Sequence, residues 1–168
     1  MKRKKQPRVL SQRTGRLLLN LFPPFLFNRI RILSVTDGFR SCRVRVRHSL
    51  LTRNLNGTTF GGTIFSAADP FYAVMFWQVF ARKGLKVQSW LKSASIDYLK
   101  PASGDLFLNF DLTEDDIREA EETLERDGRY TRTFRVEALD RSGRACARMR
   151  NEVYLRMEPG ERSPKTNF

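Results

Sequence analysis

At 168 residues the chain is long enough for one domain with a substantial core. Lys and Arg number 31 against 18 Asp and Glu, a formal charge of +13 that favours anionic partners such as phosphates, lipid headgroups or nucleic acid. A single histidine, His48, argues against a Ser-His-Asp hydrolase and a histidine-based zinc site; Cys42 and Cys146 fit neither a metal spacing nor a secreted disulfide framework, which suits reduced thiols and a cytoplasmic setting.

Residues 1–16 are basic with no acid, and are expected to form a flexible tail. Its attraction to a membrane surface or to nucleic acid stays open beside a merely solubilising role. The run Leu17 to Phe27 is interrupted by Pro23 and Pro24, has no small-residue cleavage site and is too short to span a bilayer. A short helix covering one end of the fold is expected there, with Phe22, Phe25 and Phe27 as packing groups. Basic residues beside aromatic ones also suit peripheral membrane contact.

Two strands follow, Arg29 to Val35 and Phe39 to His48, joined at Thr36-Asp37-Gly38. The second alternates Cys42, Val44, Val46 and His48 with Arg43, Arg45 and Arg47. The arginines form a solvated outer face or a phosphate path; His48 falls on the apolar side and reads as structural. From Asn54 to Phe80 a polar, glycine-rich loop feeds an almost wholly apolar segment, expected to be one buried helix ended by Gly84. Within it Asp69 is expected to be a buried carboxylate, costly unless partnered or raised in pKa, and Pro70 to kink the helix beside it.

Further strands are expected over Lys86 to Lys100, Asp105 to Thr113, Tyr130 to Leu139 and Ala145 to Met157, the last two a hairpin about Asp140 to Gly143. The acidic stretch Glu114 to Asp127 reads as a short helix or a solvated connection. Residues 17–157 form the domain, an α+β arrangement of an antiparallel sheet and one long helix, and 158–168 a flexible C-terminal tail.

The stretch NLNGTTFGGTIFSAAD resembles the signature of hotdog-fold acyl-CoA thioesterases of the phenylacetate-degradation type, Asn-x-x-Gly-(Thr)-x-His-Gly-Gly followed by Asp in the central helix. Asn54, Gly57, Thr58, Gly61, Gly62 and Asp69 keep its spacing, and Phe60 stands where that pattern has His. The hotdog subfamily known as DUF4442 is similar over more of the chain, through Leu21 to Pro24, Gly61 to Pro70 and Ile96 to Pro101. The resemblance runs from about Leu21 to Met157. It implies a single hotdog domain with the sheet wrapped around a long buried helix, and a homodimer or homotetramer whose sites are shared between protomers. It also implies an acyl-CoA or acyl-carrier-protein substrate and no cofactor or metal.

Thioester hydrolysis needs a donor where negative charge develops on the carbonyl oxygen and a base or nucleophile beside it. The Gly61 N–H suits the first task and Asp69 the second, as general base or attacking carboxylate. The resemblance gives Asn54 the placing of water or carbonyl; Gly62, Phe60, Phe65, Ser66, Tyr72 and Ser89 are expected to contact substrate. Each has a plainer alternative: a structural Asp69, glycines that permit close packing, an Asn54 that only turns the chain. A non-catalytic acyl-thioester-binding protein is the alternative function. A nucleic-acid binder is disfavoured, because the aromatics lie in the core segment and do not interleave with the basic residues.

Overall fold

A computed structural model describes residues 7–158. The chain runs α1 (Gln12–Leu21), α2 (Pro23–Phe27), β1 (Ile30–Thr36), a single 3-10 turn (Asp37–Phe39) and β2 (Ser41–Val46). It continues as α3 (Gly61–Ser66), α4 (Phe71–Arg82), β3 (Val87–Tyr98), β4 (Leu106–Asp111), α5 (Glu114–Asp127), β5 (Arg129–Leu139) and β6 (Ala145–Met157). All six strands form one antiparallel sheet in the order β1-β2-β4-β5-β6-β3, so β1 and β3 are its edges.

The period-two pattern fixes the faces. In β2 Cys42, Val44 and Val46 point inward; in β6 Ala147, Met149, Val153 and Leu155 do. Against that face lies α4, apolar nearly all round, so Phe71, Tyr72, Met75, Phe76 and Phe80 are buried among the strands. Gly61–Arg82 has the length and hydropathy of a membrane span, but two-thirds of it is buried inside the fold, so it is a core segment. The acidic stretch is a full 14-residue helix: Thr113 and Asp116 make a reciprocal capping box, and Gly128 closes it at φ 71°.

Three expectations change. The segment read as a tail is attached from Arg8 onward. The buried Gln78 amide accepts from the Leu10 N–H at 2.8 Å and donates to the Arg8 carbonyl at 3.1 Å, and Arg82 bonds the Leu10 carbonyl. Ser11 caps α1, and Gly15 is packed so tightly on Phe39 that a Cβ there would sit 2.3 Å from the ring. Residues 1–6 and 159–168, the outer parts of the two expected tails, lie outside the described residues. Second, of Phe22, Phe25 and Phe27 only Phe25 is buried; Phe22 packs edge-on to it at 5.4 Å and is otherwise exposed, and Phe27 faces solvent. Third, the central helix is two helices.

Candidate active site

The break between α3 and α4 makes the site. Pro70 cannot donate to the Ser66 carbonyl, so α3 stops at Ser66 and Ala67 to Pro70 form a turn before α4 restarts at Phe71. Asp69 rides on that turn. It is therefore exposed in the protomer, where a continuous helix would have buried it. No hydrogen bond or ion pair to another described residue holds its carboxylate, and its apolar surroundings raise its pKa above the usual carboxylate range by desolvation. From the sheet, Asn151 pins the turn: its buried side chain donates to the Ala68 carbonyl at 2.7 Å.

Asp69 opens on a cavity of about 480 Å³ walled by α4 (Ala73, Val74, Trp77) and by the start of β3 (Ser89, Trp90). Ser89 is thus beside Asp69, with its proton engaged: Oγ donates to the Ala73 carbonyl at 2.8 Å, leaving the oxygen as an acceptor. Val74 and Trp77 also line a second, mainly apolar cavity of about 260 Å³ beneath α1, between Leu18, Leu19 and Phe22. The two spaces share a wall through these side chains.

Gly61 and Gly62 begin α3, and neither N–H is taken up by another described residue. A Cβ on Gly61 would lie 2.6 Å from the Tyr98 hydroxyl, so the site needs glycine for close approach. Tyr98 ends β3 and is half exposed; partial burial raises its pKa. The Phe60 ring sits over Gly62 and is otherwise exposed. Gly61 starts α3 and Asp69 lies on the turn beyond its end, so the two groups sit at opposite ends of this short helical segment.

The remaining site residues are scattered. Asn54 turns the chain: Oδ1 accepts from the Asn56 and Thr58 N–H groups, and Nδ2 donates to Thr58 Oγ1 at 2.9 Å. Both ends of the amide bond the loop itself. Tyr72 is buried in the core, stacked on Phe134 with centroids 4.4 Å apart and edge-on to Phe110, and does not line the Asp69 cavity. Ser66 turns back to the Gly62 carbonyl at 2.9 Å, and Phe65 is half-buried; neither reaches the Asp69 cavity. His48 is structural, its Nδ1 3.0 Å from the hydroxyl of buried Thr59. Among the described residues no three His, Cys, Asp or Glu side chains converge to hold a metal ion.

A family model described as a domain of unknown function, DUF4442, matches residues 11–155. The chain belongs to the DUF4442 family. Solved structures that resemble this DUF4442 protein share its hotdog fold. A Pseudomonas aeruginosa protein of unknown function, named "Probable Thioesterase", is similar at TM-score 0.77 and 18% identity, covering 90% of this chain and 99% of its own. A Haemophilus influenzae thioesterase is similar at TM-score 0.64 and 9% identity, over 94% and 99%. The PaaI protein of the Escherichia coli phenylacetic acid degradation operon is similar at TM-score 0.54 and 16% identity, over 89% and 94%. No protein of curated function matches the sequence.

Two residues of this DUF4442 protein bear on the site without standing out in the sequence motif. Asn151 is polar at an inward position of an otherwise apolar strand face, and that break in alternation is a readable signal. Tyr98 is an outlying aromatic on β3; only the coordinates bring it onto Gly61.

Proposed function

We propose that this protein hydrolyses acyl thioesters of coenzyme A or of an acyl-carrier protein, as a homodimer or homotetramer with sites shared between protomers. One observation carries the reading: an unpartnered carboxylate and an unpartnered helix-start N–H lie beside opposite ends of the same free edge strand. The Asp69 cavity adjoins the start of β3, and Gly61 adjoins its end through Tyr98. A second copy pairing antiparallel along this edge about a two-fold axis sets the start of one β3 beside the end of the other. Gly61 of one protomer then approaches the carboxylate of its partner. The twelve-residue edge also exposes Trp90 and Tyr98, and a long open edge calls for such cover.

In this arrangement the Asp69 carboxylate takes a proton from water as the water oxygen bonds to the acyl carbon. The carbonyl oxygen becomes an oxyanion held by the Gly61 N–H. Collapse breaks the C–S bond, and the departing sulfur receives the proton. In the covalent variant Asp69 itself attacks, and water then cleaves the mixed anhydride. Desolvation favours either course by making Asp69 more basic than a free aspartate. The acyl group lies in the apolar space against Val74 and Trp77, and Ser89 Oγ can accept from water or from the substrate's amide N–H groups.

Thiol release across short, medium, long and aryl acyl-CoA esters tests the activity; no release from any ester by a well-folded oligomer, or unchanged turnover in Asp69→Asn, overturns it. Single turnover in ¹⁸O water identifies the covalent course when label appears in Asp69, which requires water to attack the aspartyl carbon of the anhydride. Phe60 in place of the resembling signature's histidine favours a second reading, binding of acyl thioesters without turnover, for which the same esters should bind and not be cleaved.

A further inference from the structure

The excess of positive charge in this chain is confined to one part of it. Residues 1–68 carry 14 Lys and Arg and one acid, Asp37, whereas the remaining 100 residues carry 17 of each sign. The fold gathers much of the basic part at the β1 edge of the sheet, the edge remote from β3. There a groove of about 570 Å³ runs between α1, α2 and the outer face of β1 and β2, lined by Arg13, Arg16, Arg29, Arg31, Arg45 and Arg47. None of the six forms an ion pair with a described residue, and one contact, Arg16 to the Leu33 carbonyl at 3.1 Å, is the only side-chain hydrogen bond among them. Arg31 faces Arg45 directly across the strand ladder, and Arg45 Nε is buried without an acceptor. Like charges placed opposite one another destabilise a sheet, so folding alone gives no reason for this cluster.

Beside the groove, α1 and α2 turn large apolar side chains to solvent. Leu17, Leu18, Leu21, Phe22, Leu26 and Phe27 are between 46% and 75% exposed, all within eleven residues. Leu17 and Leu21 lie one turn apart on α1 in line with Arg13, so apolar and cationic groups form one continuous surface.

We propose that this α1–α2 face docks on an anionic phospholipid bilayer, the six side chains entering the headgroup region and the arginine groove receiving lipid phosphates. Charge complementarity selects this occupant. A second copy seated on the face about a two-fold would set arginine against arginine, with no acid on α1, α2 or β1 to relieve it. A soluble polyanion would neutralise the groove and leave the apolar ridge in water. Only a surface that is both anionic and apolar answers both features. The inference is independent of the proposed hydrolysis, because the face is built from residues outside the Asp69 site.

The test is co-sedimentation of the full chain with phosphatidylcholine vesicles, with and without phosphatidylglycerol. The expected result is partitioning onto the anionic vesicles alone, weakening as salt rises. Each basic residue near such a surface is worth about fivefold in partitioning, so Arg29→Ser/Arg31→Ser should bind roughly 25-fold more weakly. Leu21→Ser/Phe27→Ser keeps every charge and should lose at least about tenfold through lost apolar insertion. Absence of anionic preference, or wild-type binding by the apolar variant, overturns the proposal. So does a lower oligomeric state of that variant in light scattering with vesicle binding intact, which would make the face a contact between copies. Hydrogen exchange on the wild-type protein needs no variant: vesicles should protect residues 17–27, and protection confined to β3 would refute the docking face.

Discussion

The two edges of the sheet are finished in different ways. At β1 the chain closes its own edge: Asn20 on α1 donates to the Ile32 carbonyl at 3.1 Å and accepts from the Ile32 N–H at 2.8 Å, and Arg16 bonds the Leu33 carbonyl. At Ile32 and Leu33 these side chains supply what a neighbouring strand would, so a strand pairing along β1 would have to displace α1. At β3 twelve residues stay uncovered, with a cavity and an unpartnered carboxylate at one end and a bare N–H pair near the other. An edge sealed from within frees its outer face for a surface partner; an edge left open beside reactive groups reads as half of a site. The two proposals therefore fall on opposite edges, and each can be broken without touching the other.

The largest effect belongs to the β3 edge. Asp69→Asn should lower acyl-thioester turnover by about 10²–10⁴, the range for loss of a general base, while ester binding and vesicle binding persist. Because partial desolvation by its apolar surroundings raises the Asp69 pKa, wild-type activity should fall on acidification at a pH above that at which a free aspartate titrates, as protonation removes the base. The linkage has the opposite sign to that of a salt-bridged aspartate. A raised folded-state pKa favours the fold below the unfolded pKa of about 3.9, and that advantage is lost as pH climbs to the folded value. Melting of Asp69→Asn at neutral pH should accordingly match or exceed wild type; a clear drop would make Asp69 a structural residue.

Mixing probes whether the edge is shared. Asp69→Asn and Gly61→Val, whose new side chain collides with Tyr98, should each be inactive alone. Random mixed dimers should regain about a quarter of wild-type activity, since half are heterodimers and each holds one intact site. No recovery, with mixed dimers shown to form, would place both residues in one protomer's site.

Two packing variants then separate the edges by stability. Gly15→Ala drives a methyl into Phe39 and should cost about 1–3 kcal/mol, loosening α1 and with it vesicle binding. Asn151→Ala removes the bond to the Ala68 carbonyl and should cost about 1–3 kcal/mol in melting while lowering turnover, with vesicle binding kept. If Gly15→Ala instead spares vesicle binding at full occupancy of the folded state, α1 is not the docking element.

What the sequence made legible follows from range. Alternation and turn residues act over a few positions, and all six strands, the Gly84 stop and the Pro70 break lie where those local rules put them. The site is only half local. Asp69 and Gly61 sit on one readable motif, but Asp69's exposure depends on how far the Pro70 break swings the chain. Asn54's capture by its own loop depends on which of several turn bonds wins. Tyr72 sits on an apolar stretch and could face a tunnel or the core; only the placement of Phe110 and Phe134 decides for the core. The attachment of Arg8 to Leu10 is not legible locally, because its anchor, Gln78, lies about seventy residues away and offers its amide from inside the core.

The smallest expected effect is the one that sharpens the contrast in charge. Arginines on β2 and β6 share the same outward alternation, yet their surroundings differ. Arg148 on β6 reaches Glu137 at 2.8 Å on the neighbouring strand, an exposed pair of modest worth. Arg45 on β2 meets Arg31 across the ladder. Removing one member should therefore move stability in opposite directions: Arg148→Ser down, and Arg31→Ser level or up, each by roughly 0.2–1 kcal/mol. Denaturant midpoints with unchanged slopes resolve shifts of that size for a domain this small. Added salt should shrink both, because screening weakens attraction and repulsion alike. Should Arg31→Ser destabilise the fold as Arg148→Ser does, the β1–β2 arginines are structural after all, and the case for a lipid-facing cluster loses its energetic footing.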